Sequence, residues 1–220
     1  MNPLESDIKI YKELPVDTRE AFTRSCELLT GDELEQVMHM ANSITVKAMV
    51  RELHEWEVVN SSIVISDQSF QSEILANLLS QAKKIFAVLV SCQAPQEKPF
   101  DDDLLNYLWD QVLEQMLQQG VKILRKEIDP TEKYPYLNLI SPGTGESWLW
   151  PIEQQKQLFK VLQYPHRIGV KLNDYGLMIP RKTLSGLFIP NDRAFIACDY
   201  CYRERCPSRR KSDNCVISHY

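Results

Sequence analysis

Ile85-Phe-Ala-Val-Leu-Val-Ser-Cys92 is a continuous apolar run of strand length, interrupted only by Ser91. It shows no wet side, so it reads as a strand buried on both faces. A strand covered twice needs layers above and below it, and the flanking sequence offers them. On the C-terminal side, Gln93 to Phe100 is a loop with Pro95 and Pro99. Asp101-Asp-Asp103 then supplies an N-cap and a negative first turn. The helix that follows carries Leu105, Leu108, Val112 and Met116 on one stripe, and Gly120 is its expected end. On the N-terminal side, Gln71 to Ala82 reads as a helix and Ser62-Ile-Val-Ile65 as a short strand.

Further out, the two ends differ. Asp17 or Thr18 can cap a helix through Ala21, Phe22, Cys26 and Leu29, stopped by Gly31. Asp32 is expected to cap a longer one, with Leu34, Val37, Met38, Ala41, Ile44 and Ala48 at helical spacing, unbroken until Val59-Asn-Ser-Ser62. After the central helix, Tyr136-Leu-Asn-Leu-Ile140 is strand-like and leads into Ser141-Pro-Gly-Thr-Gly145. Trp150-Pro151 opens a helix with Ile152, Leu158, Phe159 and Leu162. Segments 168–172, 176–179 and 183–189 read as strands joined by tight turns. The pattern predicts an α+β fold with an antiparallel or mixed sheet and flanking helices. It divides into an N-terminal helical segment (1–60), an α+β core (61–197) and a cysteine-rich tail (198–220).

The 220 residues carry a net charge of −5, with 44% apolar and 25% charged residues. That is ordinary globular composition, and the acidic balance argues against a nucleic-acid binder. No apolar stretch is long enough to span a bilayer, and the N-terminus has no signal-like pattern, so the expectation is a cytoplasmic protein without membrane contact. Cys26 and Cys92 sit alone in apolar patterns and read as core residues.

The other four of the six cysteines, Cys198, Cys201, Cys206 and Cys215, follow a C-x2-C-x4-C-x8-C spacing. In a reducing compartment, clustered thiolates are more often metal ligands than disulfides. They can hold a [4Fe–4S] cluster or zinc, with Tyr200 and Tyr202 as shields and basic neighbours favouring thiolate. The long last gap also allows His219 to replace Cys215, and a redox-labile tail without metal is the remaining alternative. Other motifs are absent: His54-Glu55 lacks the second histidine of a zinc-protease helix, no phosphate loop exists, and no convincing nucleophile–base order appears. The catalytic residues therefore stay unknown and enzymatic turnover uncertain. Arg181-Lys182, Glu146 and Asp174 read most simply as solvated turn charges, His39 and His166 as lone histidines, and Trp148 and Trp150 as core anchors.

The order Ser141-Pro-Gly-Thr-Gly145, Trp150-Pro-Ile-Glu-Gln-Gln-Lys-Gln-Leu158, Ile168-Gly-Val-Lys-Leu172, Met178-Ile-Pro-Arg-Lys-Thr-Leu-Ser-Gly186 and then the cysteines resembles one family. It is similar to the reactivation domain of cobalamin-dependent methionine synthase, and more closely to free-standing relatives of that domain in anaerobic bacteria. The resemblance is specific over about a third of the chain, 141–207. It implies a C-shaped α+β domain with a twisted antiparallel sheet. It also implies an accessory protein for reductive or methylative reactivation of a corrinoid (vitamin B12) methyltransferase. Cobalamin would come with the partner, a corrinoid-binding protein, and an electron donor such as flavodoxin or ferredoxin is implied.

By the same resemblance, the cofactor-binding positions are Ser141, Pro142, Gly143, Thr144 and Gly145, with Asp110 on the central helix and Phe195 near the last strand. Corrinoid reactivation also tilts the metal expectation toward [4Fe–4S]. Two departures stand out. Leu139 occupies the position of the family's arginine, which holds the carboxylate of S-adenosylmethionine, and Thr144 replaces an aromatic. An apolar side chain cannot make a bidentate contact with a carboxylate. The alternative expectation is thus a non-catalytic binding module that has lost S-adenosylmethionine and carries a structural zinc.

Overall fold

The computed structural model describes residues 7–25, 31–143 and 149–201. In chain order, β1 (Ile8–Tyr11), α1 (Thr18–Ser25), α2 (Asp32–Ala41) and β2 (Thr45–Leu53) come first. A small sheet of β3 (Glu57–Val59), β4 (Ser62–Ile65) and β5 (Gln68–Gln71) follows, then α3 (Glu73–Ser80), β6 (Ile85–Gln93) and α4 (Asp103–Ile128). The last elements are β7 (Tyr136–Ile140), α5 (Gln155–Leu162), the short ribbon β8 (Lys171–Leu172) and β9 (Met178–Ile179), and β10 (Thr183–Asn191). The main sheet has the order β1-β2-β6-β10-β7, and every pairing is antiparallel. The expected α+β class with an antiparallel sheet and flanking helices is what the chain forms.

β6 lies at the centre, and its side chains alternate between two cores. Phe86, Val88, Val90 and Cys92 face one with Trp109, Val112 and Met116 of α4; Ile85, Ala87 and Leu89 face the other with Leu158, Val161 and Leu162 of α5. A period of two on a doubly covered strand produces this division. Cys92 is buried, as its pattern suggested; Cys26 lies outside the described residues. Trp150 is fully buried against Phe70, while Trp148 is outside the described residues.

Two sequence expectations are corrected. The helix from Asp32 does not continue to residue 59: it stops at Ala41, and 45–53 form β2. Gly31 is the N-cap, without a side-chain bond. Thr45, Val46 and Val50 are β-branched, and Val46, Ala48 and Val50 alternate with Met49 and Leu53 across the two cores. β2 pairs with β6 along its whole length, from Thr45–Gln93 to Leu53–Ile85, so residues 1–60 are not a purely helical segment. Gly120 does not end the central helix either; α4 runs on to Ile128. A Cβ on Gly120 would come within 2.6 Å of Val46 Cγ1 and 3.2 Å of Val90 Cγ1. The glycine lets a helix interior press against the sheet rather than terminating it.

Candidate functional site

The site is a cleft of about 560 Å³ where one end of β10 meets α4, the end of β7 and the start of α5. Its geometry begins with Asp102, whose carboxylate accepts from Leu105 N at 2.9 Å and starts α4. The first half of that helix carries Asp110 and Glu114, four residues apart and therefore on one face. Opposite them the chain enters β10 after a cis Ile179–Pro180 bond. Thr183 Oγ1 bonds Pro180 O at 2.7 Å and Ser91 Oγ at 2.9 Å, and Cys92 N donates to Lys182 O at 2.8 Å. These bonds fix the Lys182 backbone at the end of β6 and leave its side chain to reach α4.

Lys182 Nζ lies 3.0 Å from Asp110 Oδ2 and 3.3 Å from Glu114 Oε2; Arg181 Nη2 lies 3.1 Å from Asp110 Oδ1 and its Nε 3.7 Å from Glu97 Oε2. The Lys182 side chain is only 18% exposed, whereas that of Arg181 is 66% exposed. Two carboxylates of the cleft wall, Asp110 and Glu114, thus face two cations, Lys182 and Arg181, and their charges balance; Glu97 meets Arg181 from outside the cleft. Screening is weaker around the half-buried lysine than around the exposed arginine. Both residues of the expected solvated turn are therefore engaged, and Lys182 is a lining residue of the cleft.

The floor is set by a close strand approach. A Cβ on Gly186 would fall 2.5 Å from Ile140 O and 2.6 Å from Ser141 Oγ. Only glycine lets the Ser141 end of β7 settle against β10. Beside it, buried Gln155 donates from Nε2 to Ser185 Oγ at 2.9 Å, which joins the start of α5 to the cleft floor. Gly143 N donates to Trp150 O at 2.8 Å and closes the turn beyond Pro142.

Of the sequence-derived positions, Asp110, Ser141 and Pro142 line this cleft and Gly143 adjoins it; Thr144 and Gly145 lie outside the described residues. Phe195 does not line it. Its backbone N–H donates to Asn138 Oδ1 at 2.8 Å, and its ring stacks on Tyr200 with centroids 5.6 Å apart. Leu139 faces the core containing α4 and is only partly buried there. Lys133, the nearest basic residue by sequence, lines a different pocket. Glu114, Gln155, Lys182 and Ser185 were not among the expected ligand positions. The i, i+4 spacing of Asp110 and Glu114 was the one sequence signal for that group.

Tyr200 belongs to a 3-10 turn, Ala197–Tyr200, followed at once by Cys201. Cys201 N donates to Cys198 O at 3.4 Å, so the first two cysteines span one such turn. Cys206 and Cys215 lie outside the described residues. Among the described residues, no group of three or more His, Cys, Asp or Glu is placed to hold a metal ion. No helix among them is long and apolar enough to cross a membrane.

No family model matches the sequence, and no curated protein does. The fold itself defines a class: an antiparallel five-stranded sheet, helices on both faces, and a cleft at one end of the β10–β7 pair. Among solved structures that share the fold is the crystal structure of the MetH reactivation domain bound to AdoHcy. The match has a TM-score of 0.54 at 15% identity and covers 81% of this chain and 67% of that chain. At this identity the likeness is one of fold.

Proposed function

We propose that this chain is an accessory protein for reactivating a corrinoid methyltransferase, with the Asp110–Ser141 cleft receiving an S-adenosyl ligand. The observation that carries the reading is the shared fold with a MetH reactivation domain bound to AdoHcy, in a chain whose Ser141-Pro-Gly turn and Asp110 adjoin one cleft. A volume of about 560 Å³ is within the range for small-molecule sites. The Asp110 and Glu114 carboxylates suit the sulfonium and ammonium of S-adenosylmethionine. The ligand's carboxylate has no arginine at Leu139 to receive it, and Arg181, the more exposed of the two cations, is the available one on the cleft wall. Such a ligand supplies a methyl group when bound. The chain's own residues bind and orient it: Asp110 and Glu114 hold the cationic end, and the Ser141 turn lies against the rest.

Cys198 and Cys201, one turn apart, supply half of a four-cysteine site completed by Cys206 and Cys215. Phe195 belongs to this end of the molecule, since its stacking on Tyr200 steadies the turn that bears Cys198. A [4Fe–4S] cluster there would serve electron transfer from a flavodoxin or ferredoxin to the corrinoid partner; zinc would make the site structural. The proposed organisation extends the α+β core from 61–197 to include β1 and β2, which belong to the main sheet, and keeps a cysteine tail at 198–220.

Calorimetry with S-adenosylmethionine and with AdoHcy tests the cleft, and saturable binding is expected. If neither ligand binds, the reading of the cleft fails. Metal and sulfide analysis after anaerobic purification tests the tail: iron and sulfide near four per chain are expected for a [4Fe–4S] centre. A colourless protein retaining one zinc would overturn electron transfer. The second reading, a binding module without S-adenosylmethionine, is favoured by Leu139 and by the internal cations already seated on Asp110 and Glu114.

A further inference from the structure

At the opposite end of β10 from the cleft, a second cavity of about 610 Å³ opens beside Asn191. β10 spans Thr183–Asn191, so at a strand rise of about 3.3 Å per residue the two ends stand roughly 26 Å apart. Three lysines line this cavity, Lys83, Lys84 and Lys133, against one carboxylate, Asp192. A surplus of positive charge is concentrated here on a protein whose net charge is −5.

The lysines are held differently. Lys84 is half-buried, donates to Glu52 Oε1 at 3.0 Å and sits 5.2 Å from the Phe86 ring centroid. Burial pulls its pKa down, but hydrogen bonds to Glu52 and Tyr134 outweigh that and the net shift is upward, so it stays charged. Lys83 and Lys133 are exposed, and neither ammonium has a partner among the described residues. The loop bearing Lys133 is not free to wander. Buried Asp129 accepts from Lys133 N at 2.8 Å through Oδ1 and from Tyr134 N at 3.0 Å through Oδ2. On the far wall, the Asn191–Tyr136 and Pro190–Leu137 pairs hold the end of β10 against the edge strand β7.

We infer that this cavity is a binding site for a small phosphomonoester, its phosphoryl group held by Lys83 and Lys133 and its body resting on Tyr134 and the adjoining prolines. Two ammonium groups without an ion-pair partner match a dianionic oxygen cluster, since charge-assisted hydrogen bonds are the stronger kind. The Tyr134 ring with Pro135 and Pro190 offers apolar surface that a bare inorganic ion would not use. The site is independent of the S-adenosyl cleft, because no residue lines both.

The test is calorimetry of the full chain with AMP and with inorganic phosphate, at low and at raised salt. AMP is expected to bind saturably and more tightly than phosphate, with affinity falling as salt rises. The double variant Lys83→Gln/Lys133→Gln should weaken AMP by about tenfold or more, the equivalent of about 1.4 kcal/mol. The variant Lys98→Gln/Lys171→Gln removes the same charge from exposed positions beyond the other end of β6 and should leave AMP affinity within about twofold, since distant exposed charges are screened. The lysines are exposed, so a matching thermal midpoint for both variants checks folding. No AMP binding overturns the site. Equal losses in the two double variants also overturn it, as diffuse charge attraction. Equal affinity for phosphate and AMP rejects the role of the apolar wall.

Discussion

Lys182 Nζ sits 3.0 Å from Asp110 Oδ2, so a strand-entry lysine fills the carboxylate end of the cleft that a cationic ligand would use. The pair is strengthened by Glu114 on one side and Arg181 on the other. Asp110→Asn removes a charge that two cations share and is expected to lower S-adenosylmethionine affinity about tenfold, as loss of a hydrogen bond to a charged group does. Lys182→Gln frees Glu114 and leaves Asp110 paired with Arg181 alone, and is expected to raise it. Titration calorimetry on both variants checks the opposite signs; a fall in both would contradict competition between Lys182 and the ligand.

Arg181 is the control for that pair. Its side chain is 66% exposed, so its ion pairs are solvent-screened. Arg181→Gln is expected to change unfolding free energy by less than about 1 kcal/mol. Urea denaturation measures this directly, and a larger loss would show the ion-pair cluster to be a structural element.

Gly186 decides how closely β7 and β10 approach at the cleft floor. In open space, Gly→Ala stabilises by about 0.4–1 kcal/mol through the unfolded chain. Here the new Cβ meets a backbone carbonyl, Ile140 O, at 2.5 Å, which a side-chain rotation cannot relieve. Gly186→Ala is therefore expected to be net destabilising, by about 1–3 kcal/mol, and to displace Ser141. A lowered urea midpoint with an unchanged slope would agree; a raised midpoint would not.

Gly120 sets the distance between α4 and β2. Alanine gains about 1 kcal/mol in helix propensity but overpacks against Val46, a stiff side chain, at a cost of about 1–3 kcal/mol. The expected net effect of Gly120→Ala is a loss, and Val46→Ala in the same chain should recover it. A double-mutant cycle without coupling between the two positions would rule out this contact as the cause.

Cys92 provides a pH test. Burial pushes its thiol up to about 12, from an ordinary value of 9.0; nearby Lys182 lowers it and Glu114 raises it by smaller amounts. Its folded pKa is raised, so the stability linked to it is complete below pH 9.0. It is lost as pH climbs toward about 12, where the unfolded chain alone releases the proton. Iodoacetamide labelling with peptide mapping at pH 8 should leave Cys92 unmodified in the folded protein and label it in urea. Rapid labelling of native Cys92 would contradict its burial.

Much of the scaffold was legible. Ile85–Cys92 was read as a doubly buried strand and Tyr136–Ile140 as a strand, and both are. Local signals failed where two periods overlapped. Leu34, Val37, Met38 and Ala41 keep helical spacing, and Ile44 and Ala48 fit it by coincidence, although 46, 48 and 50 also fit a strand. Pairing of β2 between β1 and β6 resolves the ambiguity, since it satisfies backbone groups along nine residues. Asp110 and the Ser141 turn became visible only through resemblance, and Lys182 read as a surface charge because nothing local shows that α4 passes over it.

The sequence by itself determined the layers, because an apolar run without a wet face must be covered twice, and it determined the spacing of Cys198 and Cys201. Tertiary structure alone decided the cleft. Asp110 and Lys182 are separated by a long stretch of chain that includes β7 and α5, and the antiparallel register of β10 on β6 is what carries Lys182 to the carboxylates of α4. It also decided the roles of Gly120 and Gly186: a missing Cβ is informative only when the atom that would occupy its space is known.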